Sequence, residues 1–160
     1  MEGEEMQMAF SRVLKVGSPW RIKEVKIFDR NRVVDVYIDY EEKSSFSCSE
    51  CGKVCKVHDS SYRRWRYLDF FDYRCYLNVK VPRTKCDTHG VRVIEKTPWG
   101  RMGSHYSFLF EAKVMHLSAE MTMSALSKYQ GEPDANLWRV FKYYINKAVS
   151  NQLDLSQVKR

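Results

Sequence analysis

Two short motifs hold the residues whose types and spacing can do chemistry: Cys48-Ser-Glu-Cys51, followed by Gly52, and Cys86-Asp-Thr-His89, followed by Gly90. Each offers two ligands across two intervening residues, which suits a tight turn. Together they can close a tetrahedral shell of three thiolates and one imidazole around zinc. A shell filled by the protein has no open position for water. The zinc it implies is structural, tying the two ends of a strand region together and contributing folding energy rather than Lewis-acid chemistry. The 34 residues from 52 to 85 exceed the usual ribbon spacing. Two other readings stay open: the cysteines are buried apolar residues with His89 on a surface turn, or Cys55-Lys-Val-His58 joins the first motif in a different ligand set. That second set leaves Cys86 unexplained. Cys55 and Cys75 read as small core residues, and His58 as a polar turn residue or a backbone contact to a nucleic acid. Five cysteines, an odd number that includes Cys-x-x-Cys, point to metal in a reducing compartment more than to disulfides. A cysteine-nucleophile enzyme built on Cys55 and His58 has no identifiable acidic orienter or oxyanion donors.

The second chemical signal is basic. The 160-residue chain has 27 Lys plus Arg against 20 Asp plus Glu, a net charge of +7. An acidic partner such as nucleic acid follows from that balance more readily than an acidic small molecule. The excess is concentrated between residues 60 and 103, which hold 10 basic and 4 acidic side chains. There Tyr62-Arg63-Arg64-Trp65-Arg66-Tyr67 interleaves guanidinium groups with rings, and on a strand Arg64 and Arg66 face away from Arg63, Trp65 and Tyr67. Arginine forks suit phosphate oxygens. Arg63, Arg64 and Arg66, extended by Arg74, Lys80, Arg83 and Lys85, are therefore expected to grip a DNA backbone. The plainer alternative is a solvated strand face whose arginines stack on their own aromatics.

The elements that must position these groups divide the chain in two. Residues 1–103 read as a zinc-binding, β-rich domain and residues 104–160 as a helix-turn-helix DNA-binding domain. The fold class is α+β: a small zinc-stapled antiparallel β domain followed by a three-helix domain. Val33 to Tyr40 alternates with period two, Val25 and Ile27 precede it across the loop at residues 29–32, and Tyr62 to Leu68 and Cys75 to Val81 are further strands. Pro82 puts the end of the last strand on an edge. From Tyr106 to Glu120 the period becomes helical. Met123 to Tyr129 forms a short second helix broken by Gly131, and Asp134 caps a third that runs to about Ser150. Its apolar stripe is Leu137, Phe141, Tyr144, Ile145 and Ala148. Two helices joined at Gly131 fit a helix-turn-helix whose later helix enters the major groove, with Asn136, Arg139 and Lys142 reaching base edges or phosphates. Trp138 and Phe141 read as core. No stretch has the length of a membrane span, and Met1 to Gln7 is acidic without an apolar segment behind it. The expected location is cytoplasmic.

In order, these motifs resemble the transposases of the "ISL three" type of bacterial insertion sequence. The matching elements are Pro19-Trp20, Val34 to Tyr40, Cys48-x-x-Cys51-Gly52, Val57-His58-Asp59 and Arg64-Trp65-Arg66-Tyr67-Leu68-Asp69. After them come Val81-Pro82-Arg83-Thr84-Lys85-Cys86-x-x-His89-Gly90-Val91, Pro98-Trp99 and Leu137-Trp138-Arg139. The resemblance spans residues 16 to 150. It implies a zinc-binding domain and a helix-turn-helix that together recognise the terminal inverted repeats of the element as double-stranded DNA, in a bacterial protein that acts as an oligomer and is nucleoid-associated when bound to DNA. In the family a ribonuclease H-like domain with an Asp, Asp, Glu metal set performs strand transfer. Residues to 160 stop before such a domain, and Glu111, Glu120, Glu132, Asp134 and Asp154 read as helix-surface and capping residues, so no catalytic residue is expected here. The contrasting reading is a zinc-dependent protein-interaction or regulatory module in which the charge only aids solubility.

Overall fold

The computed structural model describes residues 2–94 and 96–152; Asp154 lies outside the described residues. The chain forms two compact units, residues 1–108 and 109–160. In the first, α1 (Glu2–Val13) precedes six strands: β1 (Trp20–Phe28), β2 (Val33–Tyr40), β3 (Ser45–Ser47), β4 (Val54–Arg66), β5 (Arg74–Cys86) and β6 (Gly90–Val93). They form one sheet in the order β1-β2-β5-β4-β3, with β6 also on β5. β1 and β2 make the hairpin expected from the alternation, joined through residues 29–32 with Arg32 at positive φ.

The sheet is mixed, which corrects the expectation of an antiparallel domain. β2 runs parallel to β5, pairing Val34 with Cys75 and Ile38 with Val79. The chain leaves β2 through β3 and β4 before returning, and that long excursion lets β5 slot between β2 and β4 in the same direction as β2. Val34, Val36 and Ile38 then share a face with Cys75, Leu77, Val79 and Trp65, all buried in one cluster. Burying each large apolar side chain there contributes roughly 1.5–3 kcal/mol. Pro82 also departs from expectation, lying inside β5 opposite Ser60. Its carbonyl accepts the Ile94 N–H at 3.3 Å. Its nitrogen, on that same edge, faces the gap where β5 changes neighbour from β2, whose pairing stops at Val79, to β6, whose pairing starts at Arg83.

α1 is a helix the sequence reading did not anticipate. Met6, Phe10 and Leu14 recur every four residues, and Phe10 and Leu14 pack into the cluster beneath the sheet. Trp99 is held there too, its Nε1 donating to the Leu14 carbonyl at 3.3 Å. Gly100 follows because only hydrogen fits: a Cβ at that position would lie 2.7 Å from the Trp65 ring.

The second unit contains α2 (Phe108–Leu117, which begins at the boundary), α3 (Met123–Gln130) and α4 (Asp134–Gln152). Thr122 caps α3 by accepting the Ala125 N–H, and Gly131, at φ 63°, ends it in the left-handed conformation. Pro133 sits at the cap of α4, its carbonyl accepting from Asn136 and Leu137. Asp134, expected to cap, instead occupies the first turn, where its charge suits the helix dipole. Phe110, Val114, Leu126, Leu137 and Val140 are buried. Glu111 is buried as well, with no exposed surface, and accepts a hydrogen bond from the Tyr144 hydroxyl at 2.7 Å; the expectation of a helix-surface acid is corrected. Ile145 and Ala148, expected on the apolar stripe, are exposed because the 19-residue α4 outruns the 10-residue α2 and 8-residue α3. No helix among the described residues is long and apolar enough to cross a membrane.

Candidate metal centre and nucleic-acid interface

The register of three strand pairs builds the metal centre. β4 pairs with β3 on one side and β5 on the other, and β5 carries β6 beyond its change of neighbour. The β3–β4 turn and the β5–β6 turn thus meet at one end of the sheet. Cys48 donates its N–H to the Lys53 carbonyl at 2.8 Å and accepts from Gly52 at 2.9 Å. Gly52 and Gly90 close their turns at φ 72° and 68°, a region costly for any side chain.

The Sγ atoms of Cys48, Cys51 and Cys86 and the ring nitrogen of His89 all lie within 4.8 Å of one another. Cys51 and Cys86 sulfurs are 3.8 Å apart, Cys48 sulfur and His89 Nδ1 3.8 Å, and Cys86 sulfur and His89 Nδ1 3.7 Å. A tetrahedron with metal–sulfur bonds of about 2.3 Å has edges of about 3.8 Å, so the donor set fits zinc in type, number and span. Hydrogen bonds from the His89 and Thr88 backbone amides, joined by the His89 side chain, hold the Cys86 thiol down to about 6. At Cys51 the Lys53 amide lowers the pKa, but burial and the Cys86 and Cys48 sulfurs outweigh it and leave the thiol raised. Lys53 and Asp87 link the two turns by an ion pair at 3.3 Å.

The rival ligand set does not assemble. His58 stands exposed at the bulge in β4, between the pairings of Val57 and Asp59. Cys55 is buried beside Cys48 and Cys86, its thiol donating to the Lys53 carbonyl. Cys75 is a core residue whose thiol burial pushes up to about 12.

The basic stretch separates by partner. Arg66, named as a phosphate contact, is only 2% exposed and ion-paired with Asp69 at 2.9 Å; it serves the fold, and that assignment is corrected. Arg83 grips Asp59 with two nitrogens and lowers the Asp59 carboxyl. Arg64 pairs with Asp35 at 3.0 Å and lies over the Tyr76 ring at 4.1 Å, while Lys80 pairs with Asp39 at 3.6 Å. Arg63, Arg74 and Lys85 are exposed and carry no ion pair among the described residues. Arg63 and Arg64 line a cavity of about 450 Å³ with Ser104 and His105. The sequence reading passed over His105, which a backbone bond from the Arg66 N–H to its carbonyl brings to the edge of β4.

On α4, Arg139 and Lys142 are exposed and border a shallow cavity of about 480 Å³ with Ala135 and Trp138. Asn136 is half-buried and accepts from Arg139 at 3.2 Å, so it orients that guanidinium. Trp138, expected in the core, is instead on the surface, since the core positions of this turn fall to Leu137 and Val140.

The zinc-finger model of transposase IS204/IS1001/IS1096/IS1165 matches residues 44–89, a span that contains all four candidate ligands. The model of the helix-turn-helix domain of transposase family ISL3 matches residues 95–145. The chain carries the zinc-ribbon and helix-turn-helix domains of the ISL3 transposase family. A transposase for insertion sequence element IS1557 of Mycobacterium tuberculosis is 30% identical over 81 residues, 49% of this chain and 18% of that protein. A transposase for insertion sequence element IS1001 of Bordetella parapertussis is 33% identical over 72 residues, 44% of this chain and 18% of that protein. The match spans about a fifth of the length of these relatives. No solved structure matches the chain. The ISL3 ribbon binds structural zinc, and Cys48, Cys51, Cys86 and His89 are the residues that would hold it. The ISL3 helix-turn-helix match takes in α2, α3 and Arg139 and Lys142 of α4.

Proposed function

We propose that this chain recognises the terminal inverted repeats of an insertion sequence as the DNA-binding part of an ISL3 transposase, and that strand transfer belongs to another part of the family's proteins. Zinc fixes the end of the sheet and supplies no reactive position. α4 enters the major groove, where Arg139, set by Asn136, and Lys142 reach base edges and phosphates. Arg63, Arg74 and Lys85 neutralise backbone charge. Arg64, Lys80 and Arg83 contribute only where a phosphate displaces their carboxylates. The observation that carries the reading is the pair of cations on the second and third turns of α4, Arg139 and Lys142, without an ion pair among the described residues and inside a match to a transposase helix-turn-helix.

The two domain matches account for residues 44–89 and 95–145, and neither is a catalytic domain. Two ends in inverted orientation present two sites, so a complex with two copies of the chain belongs to the proposal. The test is selection from a pool of random duplexes by the zinc-loaded chain. The selected sequence should recur as an inverted pair flanking the gene. Equal binding to all duplexes, or to none, overturns the reading.

A further inference from the structure

Trp20, Trp65 and Trp99 retain 8, 1 and 5% of their surface, whereas Trp138 retains 43%. An indole offers a large apolar area, and at this position over two-fifths of it is left in water. Its ring meets Phe141 edge-on, with centroids 5.6 Å apart and planes at 89°, which fixes its direction without covering it. Ala135, Trp138, Arg139 and Lys142 fall at i, i+3, i+4 and i+7 and so share one face of α4, where they border a single shallow cavity. A rigid apolar ring beside two cations and a small residue that permits close approach suits a polyanion that also presents apolar groups. In the major groove that apolar group is the C5-methyl of thymine.

We infer that Trp138 is a specificity-determining residue that packs against a thymine methyl group, so that it sets sequence preference while Arg139 and Lys142 set affinity. This rests on the DNA-binding reading above and adds to it a base identity. An apolar contact releases no counterions. Removing it weakens binding without changing the salt dependence, whereas losing a phosphate contact lowers the log-log slope by about 1.

The experiment uses the zinc-loaded full chain and a duplex that it has itself selected from a random pool, with thymine replaced by deoxyuracil one position at a time. One position should weaken the unmodified chain about fourfold, the worth of one buried methyl group, and leave Trp138→Ala unaffected. Trp138→Ala should bind the parent duplex about tenfold more weakly at an unchanged salt slope. Trp138→Phe should retain part of the preference, and Lys142→Ala should lower the slope. Iodide should quench the exposed Trp138 emission in the free chain, and the duplex should protect it. Because Trp138 lies outside the core, thermal melts of its variants should match the parent, and a large fall in melting temperature would overturn its surface role. Equal binding by Trp138→Ala and the parent, or equal uracil effects in both, would overturn the thymine contact while leaving DNA binding intact. Failure of the parent chain to select any duplex would overturn both. Protection by phosphatidylglycerol vesicles and not by duplex would assign the ring to a membrane surface instead.

Discussion

Cys86 differs from Cys51, whose thiol is raised, because its proton is already easy to lose. Two backbone amides of its own turn and the His89 ring stabilise the thiolate and bring the thiol from 9.0 to about 6. Zinc uptake must expel whatever protons the ligands hold. Above pH 6 Cys86 has none to release, and below it zinc competes with one further proton. Affinity measured by competition with a chelator from pH 5 to 8 should therefore fall more steeply below about pH 6, by one additional proton, and Cys86→Ser should abolish uptake. A slope unchanged across pH 6 would contradict the role given to the turn amides. The arginines make a second contrast at this scale. Arg66→Ala removes an almost wholly buried cation from Asp69 and should cost about 2–3 kcal/mol in denaturant unfolding. Arg63→Ala, three residues earlier and exposed, should stay within about 0.5 kcal/mol.

Among the elements, the segment carrying Gly100 lies close against β4 at Trp65. The segment around Trp99 passes against the ring of a β4 residue, and a methyl group at position 100 would enter the indole at 2.7 to 2.8 Å. Gly100→Ala should cost about 1–3 kcal/mol by overpacking, seen as a lower melting temperature with zinc content unchanged. Which elements were legible in the sequence follows from the range of the forces that set them. The two metal turns, the β1–β2 hairpin and the end of α3 at Gly131 depend on residues within a few positions and could be read directly. The parallel pairing of β2 with β5 depends on an excursion of more than thirty residues, and nothing local encodes it. The fate of the arginines was hidden for the same reason: Asp59 lies 24 residues from Arg83, and Asp35 reaches Arg64 only across β5. α1 was legible in principle, since Met6, Phe10 and Leu14 keep helical spacing, but its acidic residues drew the reading toward targeting signals alone.

For the whole molecule, net charge overstates the field available to DNA. Nine cations were candidate contacts, yet Arg64, Arg66, Lys80 and Arg83 are already matched by Asp35, Asp69, Asp39 and Asp59. Arg63, Arg74, Lys85, Arg139 and Lys142 are the exposed candidates free of a carboxylate among the described residues. At a log-log slope of about −0.9 per phosphate, about five contacts give roughly −4.5, against roughly −8 for all nine. Binding to a selected duplex from 50 to 300 mM salt measures this directly. Three of the five lie in the first unit and two in the second, so the slope also asks whether both units touch one duplex. Replacing Arg63, Arg74 and Lys85 together by Ala should reduce the slope to about −2 while sequence preference, carried by α4, persists. A slope that stays near −4.5 would mean that the sheet does not hold the DNA, and that its zinc and paired charges serve the architecture alone.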